Sequence, residues 1–448
     1  MSQAPTHEDD HFPIEPPTDS ATREADTVGA PQGMLRRFRT FESFRHRDFR
    51  LFFSGALVSS VGTWMQTTAL GWLVYDLTKH SGSIGLVNFL AGVPIFVLII
   101  FTGALADRTD RQRLLIVTQV VLMLQAVAFA LLAARGNISM AWIYGLSLAG
   151  GVASAFMSPA WQAMTPDLVP RELLMNAIAL SSAQFNAARL IGPVAAAMVV
   201  ALFSHSKSSG VTEVFWVNAA SYLFVIWALA VIHPHQHIVP KRSGVSPWGA
   251  LAAGLTYARE HRRVRMHLLT AMMITIFGMP FATLLPAIAT KLLHLGVSGY
   301  SGLMAANGLG ALVGALGVAS ISANVRREAV IRTALIVMPL AATVLALSKT
   351  TALSMGALVV MGAAFLTTVS SVNTNLQTAV PPEIRARVMS LFVLSFMGMM
   401  PFGALLFGWL GDLIGAEGAI LAGASVLLAY AVFLTAKPAL LCDQITGC

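Results

Sequence analysis

Long uncharged apolar runs recur along this chain, separated by short clusters of Arg, Lys, Pro and Gly. A helix needs about 20 mostly apolar residues to cross a bilayer's hydrocarbon core. Twelve runs reach that length, over roughly 49–76, 83–105, 114–134, 138–164, 176–203, 214–233, 266–292, 299–322, 329–348, 352–378, 388–413 and 417–436. The pattern therefore predicts an all-α integral membrane protein with twelve transmembrane helices, and almost nothing is left over for a soluble catalytic domain. The longest interruption, HPHQHIVPKRSGVSPWG followed by YAREHRRVR, divides the runs six and six. It predicts an N-terminal six-helix bundle over 41–233, a cytoplasmic linker over 234–265 and a C-terminal bundle over 266–437. The linker's second part, Trp248 to Arg265, reads either as a basic amphipathic helix on the inner leaflet or as a solvated connection.

Composition agrees and charge adds orientation. The 448 residues are 56% hydrophobic and 11% charged, with a mean hydropathy of +0.70, far from the roughly 25% charged of soluble domains. The net charge of +8 would fit a nucleic-acid binder only if it formed a patch, and here the basic residues fall between the apolar runs. Of the 29 Lys and Arg, 22 lie on one side of the predicted helices and five on the other; Arg23 and Arg189 are the remainder. Positive charge accumulates in cytoplasmic loops, so both termini are placed in the cytoplasm. Cys442 and Cys448 are the only cysteines and both fall in the tail over 438–448, which implies no disulfide framework. Residues 1–40 begin acidic and Pro-rich and read as a disordered cytoplasmic tail. With no apolar signal-peptide core there, the first helix after Arg50 is expected to act as an uncleaved insertion signal.

Two weak repeats cross the six-and-six boundary. VPRELLMNA at Val169–Ala177 resembles VPPEIRARVMS at Val380–Ser390, and the same offset of 211 (403 − 192) carries Gly192 onto Gly403. SIGL at Ser83–Leu86 resembles YSGL at Tyr300–Leu303. Two halves related by duplication fit both.

Between the second and third runs stands GALADRTDRQR. It resembles the signature loop of the major facilitator superfamily, matched by Gly103, Leu105, Ala106, Asp107, Arg108, Arg111 and Arg113, with Asp110 where a second glycine is usual. The resemblance implies a gate between the halves on the inner side, with the start of the eleventh helix, carrying Arg385 and Arg387, as partner. An ordinary positive-inside turn is the bland alternative. FRHRDFRLFFSGALVSSVGTWM, WLVYDLT, TPDLVPRELLMNA and AARLIGP further resemble the enterobactin-exporter and macrolide-efflux branch, the transmembrane secretion effectors. That resemblance implies secondary active export of siderophore- or drug-like molecules by alternating access, driven by protons. An importer or lysophospholipid flippase of the same fold, and a non-transporting sensor or assembly partner, are the competing readings.

Arg189 is the sharpest single residue. It lies 13 residues (189 − 176) into the fifth run, about 20 Å at 1.5 Å per residue. A cation near mid-membrane costs roughly 2.5–3.5 kcal/mol on insertion scales, so Arg189 either meets an anionic part of the substrate or is held structurally by carbonyls, Asn or Gln of neighbouring helices. Gly192 and Pro193 behind it allow close packing and a bend. Gln66, Gln162, Asn373 and Asn375 lie on helices that line the cavity in the resembling fold and are candidate substrate contacts or interhelical glue; Gln184, Asn218 and Asn307 are further polar residues within runs.

Proton coupling asks for a titratable group within reach of a cavity, and none is expected deep in a helix here. Asp76 and Asp412, at helix ends, are the candidates, against plain helix-end solvation. No GxxxxGK[ST] loop, nucleophile constellation or metal-ligand spacing appears, so the chain is expected to be neither an enzyme nor an ATP-driven pump, with no cofactor or metal. His233, His235 and His237 alternate but read as a polar linker. Expected partners are a small-molecule substrate, membrane lipids and protons, with no nucleic acid, and the chain is expected to be monomeric.

Overall fold

The computed structural model describes residues 39–106, 109–203, 210–234, 247–320, 325–437 and 440. Met1–Phe41 forms one unit, described only from Arg39, where a 3₁₀ helix begins that breaks at Phe41. All helices named below belong to the second unit, Glu42–Cys448.

The α-helices are α1 (Arg47–Thr78), α2 (Ser81–Ala106), α3 (Arg111–Ala134), α4 (Met140–Met164), α5 (Leu174–Leu202), α6 (Val211–Val231), α7 (Pro247–Glu260), α8 (Arg262–Met273), α9 (Phe281–Ala287), α10 (Val297–Ser320), α11 (Arg327–Leu347), α12 (Thr351–Ala379), α13 (Pro382–Val393) and α14 (Met400–Ala436). Among the described residues, ten stretches are long and apolar enough to cross a membrane. Two features reconcile ten with the twelve expected. α1 is 32 residues long but its ends are charged; no charge lies between Arg50 and Asp76. The last stretch, Pro382–Ala436, has 55 residues, about 80 Å as one helix and far beyond a bilayer's ~30 Å core. It folds back at Gly415, whose φ of 81° and ψ of 158° suit only a residue without Cβ. The arms then run side by side: a Cβ on Gly423 would meet the Phe407 ring at 2.7 Å.

α8 and α9 form one crossing, Arg262–Leu292, containing π-helical turns at Ile274–Gly278 and Ile288–Leu292. A third π turn, Leu394–Gly398, joins α13 to α14. Such turns loosen the i→i−4 ladder and often sit where a helix has mechanical work to do.

Apart from Ala287 of α9, which joins a cluster of the N-terminal half, the buried residues sort by half. Phe49, Leu115, Met164 and Leu229 belong to one core cluster and Val74, Phe129, Ile143 and Phe215 to a second, all from α1–α6. Ile331, Leu335, Val372 and Leu434 form a third, and Leu284, Leu303, Leu358 and Ile420 a fourth, all from α8–α14. Trp142, Met198, Leu202, Trp227, Trp409 and Leu413 point outward and stay more than half exposed. On a soluble protein that surface would be a liability; here it is the lipid-facing belt.

Individual contacts repeat across the halves. Thr63 on α1 meets the Tyr222 hydroxyl on α6 at 3.2 Å, and Thr270 on α8 meets Tyr430 on α14 at 2.8 Å. Gly192 lets α5 close onto α1, where a Cβ would lie 2.3 Å from Trp64 Cβ and 3.0 Å from Val61 O; its sequence counterpart Gly403 closes onto Ile276 and Pro280 of the α8–α9 crossing at 3.1 Å. The same helix positions therefore use the same packing device in each half.

α7 is a 14-residue helix on the C-terminal half. Its Gly254 faces the Arg387 carbonyl of α13, 3.0 Å from where a Cβ would stand.

Candidate functional site

The halves meet along two seams, α2 against α14 and α5 against α10, both built on glycine. On the first, a Cβ at Gly85 would lie 2.6 Å from Ala404 O, and one at Gly92 2.3 Å from the Pro401 ring. On the second, a Cβ at Gly308 would lie 2.8 Å from Arg189 O and from Leu190 Cα. Backbones this close leave no room for another side chain.

Arg189 lies on the second seam, near the middle of the 29-residue α5. It is 9% exposed. Its Nη2 donates to Asn307 Oδ1 of the opposite half at 2.8 Å, and Asn307 Nδ2 donates onward to Leu358 O at 3.3 Å. The guanidinium carbon stands 5.7 Å from the Trp64 ring centre and 5.9 Å from that of Phe365, so rings from α1 and α12 flank it. Cation–π contacts contribute roughly 0.5–2 kcal/mol each when desolvated. No carboxylate lies within ion-pair distance of Arg189 among the described residues. A guanidinium has five N–H donors and the one hydrogen bond here uses one of them. The result is a buried cation held by rings and an amide, with donor capacity in reserve.

The first seam ends at Asp412. Its carboxylate accepts from the backbone N–H groups of Ser81, at 2.7 Å, and Gly82, at 3.0 Å, the exposed donors at the start of α2. The side chain is 26% exposed, with His80 Nδ1 at 3.5 Å. One half thus caps a helix of the other. Asp76 is 59% exposed and bound to Lys79 at 2.6 Å.

In the signature loop, Asp107 and Arg108 lie outside the described residues, as do His235 and His237 of the linker. Gly103 is helical, near the end of α2. Asp110, where the pattern expects glycine, is the N-cap of α3, accepting from Gln112 N at 2.9 Å and Arg113 N at 3.2 Å. Its φ of −63° needs no glycine, and the carboxylate satisfies two otherwise orphan donors. Arg111 reaches Asp167 at 2.8 Å, with side chains 18% and 3% exposed, whereas Arg113 is 86% exposed. Arg385 Nε donates to Val380 O at 3.1 Å.

The remaining polar candidates divide. Gln66 accepts from Asn218 at 2.8 Å, fully buried between α1 and α6. Gln162 is exposed and Asn373 half-buried, accepting from Gln377 at 3.2 Å. Asn375 is 3% exposed and belongs to a cluster that the sequence reading missed. His267, 1% exposed, holds Arg263 O with Nδ1 at 2.8 Å and faces Asn375 Nδ2 with Nε2 at 3.1 Å. Asn375 Nδ2 also donates to Glu328 Oε1 at 3.4 Å, and Glu328 pairs with Arg263 at 3.0 Å. The sequence predicts no titratable group deep in a helix; His267 lies in the second turn of its crossing and is nonetheless buried. The seventh crossing starts at Arg262 rather than at residue 266, so His267 sits inside the helix rather than at its end. The signal available was the four-residue spacing of Arg263 and His267, which puts both on one helix face.

Comparison with known proteins places this geometry. Over 397 residues the chain is 24% identical to the multidrug efflux pump Tap of Mycolicibacterium fortuitum, covering 86% of this chain and 94% of that protein. It is 26% identical over 374 residues to the enterobactin exporter EntS of Citrobacter koseri, 82% of this chain and 86% of that protein. It is 27% identical over 243 residues to the staphyloferrin A transporter of Staphylococcus aureus, 54% of this chain but only 59% of that relative. Among solved structures, the nucleoside transporter NupG superposes with a TM-score of 0.69 at 14% identity, over 87% of this chain and 99% of that one. The family described as transmembrane secretion effector matches residues 38–442. The fold is the major facilitator fold, the chain is a transporter rather than an enzyme, and it belongs to the transmembrane secretion effector family.

Proposed function

We propose that this chain exports small organic molecules across the bacterial cytoplasmic membrane by alternating access, exchanging them for protons, and that it works as a monomer with both termini inside. The relatives' printed activities, drug efflux and siderophore export, support the direction. The positive-inside bias supports the orientation. In that orientation the Asp412 end of the α2–α14 seam is the outer gate and is closed, and Asp107 with Arg111, Arg385 and Arg387 works at the inner one. Substrate enters from the cytoplasm or inner leaflet, binds between the halves and leaves when the outer seam opens.

The observation that carries the substrate reading is Arg189, a buried cation between two rings at the junction of the halves. In a low-dielectric pocket such a group favours an anionic or electron-rich ligand over a cationic one. We assign Arg189 to that contact, with Gln162 and Asn373 on the cavity side. Gln66 serves as glue between α1 and α6, and Gly192 with Pro193 sets how closely α5 follows α1.

The test compares accumulation of 2,3-dihydroxybenzoate and ethidium in deletion cells and cells complemented with wild type, Arg189→Ala or Asp107→Asn. Efflux of at least one probe that collapses when the proton gradient is discharged supports the proposal. No difference between deleted and complemented cells, or uptake in place of efflux, overturns it.

A further inference from the structure

Asn375, His267 and Glu328 dictate one another's protonation. The Arg263 carbonyl can only accept, so His267 Nδ1 carries a hydrogen and donates to it. In a neutral ring that leaves Nε2 as an acceptor, and Asn375 Nδ2 supplies the donor at 3.1 Å. The same Nδ2 supplies its second hydrogen to Glu328 Oε1 at 3.4 Å. One amide group thus bridges two acceptors, which requires both to be unprotonated on the atoms that face it. With Arg263 on Glu328 at 3.0 Å, the cluster is electrically neutral: one guanidinium, one carboxylate, one neutral imidazole.

A single added proton breaks this arrangement. On His267 Nε2 or on Glu328 Oε1 it turns an acceptor into a donor aimed at Asn375 Nδ2. The amide must then turn over to present Oδ1, which withdraws its hydrogen from the other acceptor. The cluster's charge also rises from zero to plus one, and an unbalanced buried charge favours whichever arrangement of the helices hydrates it. The charged groups facing His267 are Arg263 on its own helix and Glu328 on α11. α12 contributes the uncharged Asn375. Neighbouring cations are turned elsewhere: Arg385 of α13 to Val380 O at 3.1 Å, and Arg265 to Arg259 O at 2.9 Å. His261, between α7 and α8, is stacked on Tyr257.

The cluster fastens the foot of the α8–α9 crossing to α11 and α12, and the crossing's first π turn, Ile274–Gly278, follows His267 by less than two turns. Beyond that turn, Thr283 accepts from Asn88 of the other half at 3.3 Å. A change at the foot therefore acts on a crossing that carries its own hinge and touches the opposite half.

We propose that His267, Asn375 and Glu328 are the proton-carrying switch of this transporter, with Glu328 and His267 taking up the proton and Asn375 reporting it by turning its amide. The assignment rests on the exporter reading. The arrangement seen is the deprotonated one.

The experiment uses full-length protein in proteoliposomes and two readouts. A pH jump on a solid-supported membrane, without substrate, records the charge displaced by proton binding. Separately, 2,3-dihydroxybenzoate and ethidium movement is measured under a pH gradient and as gradient-free exchange. Glu328→Gln and His267→Gln are expected to cut the pH-jump signal and gradient-driven transport at least about tenfold while exchange stays within about twofold of wild type. Asn375→Asp, which adds a competing carboxylate to the bridge, is expected to shift the pH at which the signal appears. A pH-jump signal that survives both glutamine variants, or loss of exchange in step with gradient-driven transport, overturns the assignment, as does wild type that exchanges probe but ignores pH. Should Glu328→Gln fail to fold, His267→Gln decides alone. Wild type that moves neither probe in either mode refutes the exporter reading instead.

Discussion

Replacing Arg189 by Met removes the charge but keeps most of the side chain's length, and the structure lets the two consequences be separated. On stability the effects oppose. A hydrogen bond from a charged donor contributes about 1.5–3 kcal/mol, and Asn307 Oδ1 at 2.8 Å would lose it. The contacts to Trp64 and Phe365, at 5.7 and 5.9 Å, stand at the ~6 Å outer limit of such contacts and so add the lower part of the desolvated range, about 0.5–1 kcal/mol each. Against this stands relief from holding a cation at mid-membrane depth, about 2.5–3.5 kcal/mol. The two sides nearly cancel, so Arg189→Met is expected to change the unfolding free energy by no more than about 1–2 kcal/mol and to leave Tm within a few degrees of wild type. Substrate recognition has no such cancellation: losing one partner of a desolvated charge pair costs about 2–5 kcal/mol, at least roughly thirtyfold in affinity. Thermal unfolding of the purified protein and transport of 2,3-dihydroxybenzoate against ethidium in proteoliposomes read the two quantities independently. A large fall in Tm with unaltered preference between the probes would make Arg189 a structural pin across the α5–α10 seam and refute the reasoning.

Three further perturbations follow from the same geometry. Asp412→Ala removes both acceptors that cap α2, a loss of about 0.5–2 kcal/mol; electron–electron distances between labels at Lys79→Cys and Glu417→Cys should show the longer, open population growing severalfold, and an unchanged distribution would mean the cap does not latch the seam. Gly192→Ala puts a methyl 2.3 Å from Trp64 Cβ and should destabilise by about 1–3 kcal/mol, whereas Gly145→Ala, with open space around it, should be neutral or stabilise by about 0.5–1 kcal/mol; equal shifts in melting temperature would contradict the packing. Within the signature loop, Arg111→Ala removes the guanidinium from a carboxylate only 3% exposed and should cost about 3–5 kcal/mol, while Arg113→Ala, at an 86% exposed side chain, should change stability by under about 1 kcal/mol.

The crossings were legible because a bilayer imposes a length and an apolarity that any helix must meet. Legibility failed at ends. α1 and the seventh crossing each extend past their last uncharged residue, since Arg47, Arg262 and Arg263 can sit at the aqueous boundary and still be helical. That shift of one turn is what hid His267. The cap by Asp412 was invisible for a different reason: the bond joins residues 331 apart, and nothing local in either segment marks the other. Asp110 shows the reverse case, in which a departure from the family pattern, Asp where a second glycine is usual, is explained by the N-cap geometry.

What the two halves share and where they differ then separates scaffold from chemistry. The Thr63–Tyr222 and Thr270–Tyr430 contacts match, with the threonines offset by 207 (270 − 63) and the tyrosines by 208 (430 − 222), and so do Gly192 and Gly403, offset by 211. Carried through the same offsets, His267 falls on Ser60 (267 − 207), which merely accepts from Gln184 at 3.3 Å, and Arg189 falls on Met400 (189 + 211). A buried charge or titratable ring costs free energy that an apolar or hydroxyl side chain at the matching place avoids. In each case the half that lacks the group packs its six helices without it, so the packing does not require it. The scaffold common to both halves therefore does not by itself call for Arg189 in the N-terminal half or for His267 in the C-terminal half. On the proposed reading, this division gives each half a different task, anion recognition in one and proton uptake in the other, and the motion between halves is the event that would couple them.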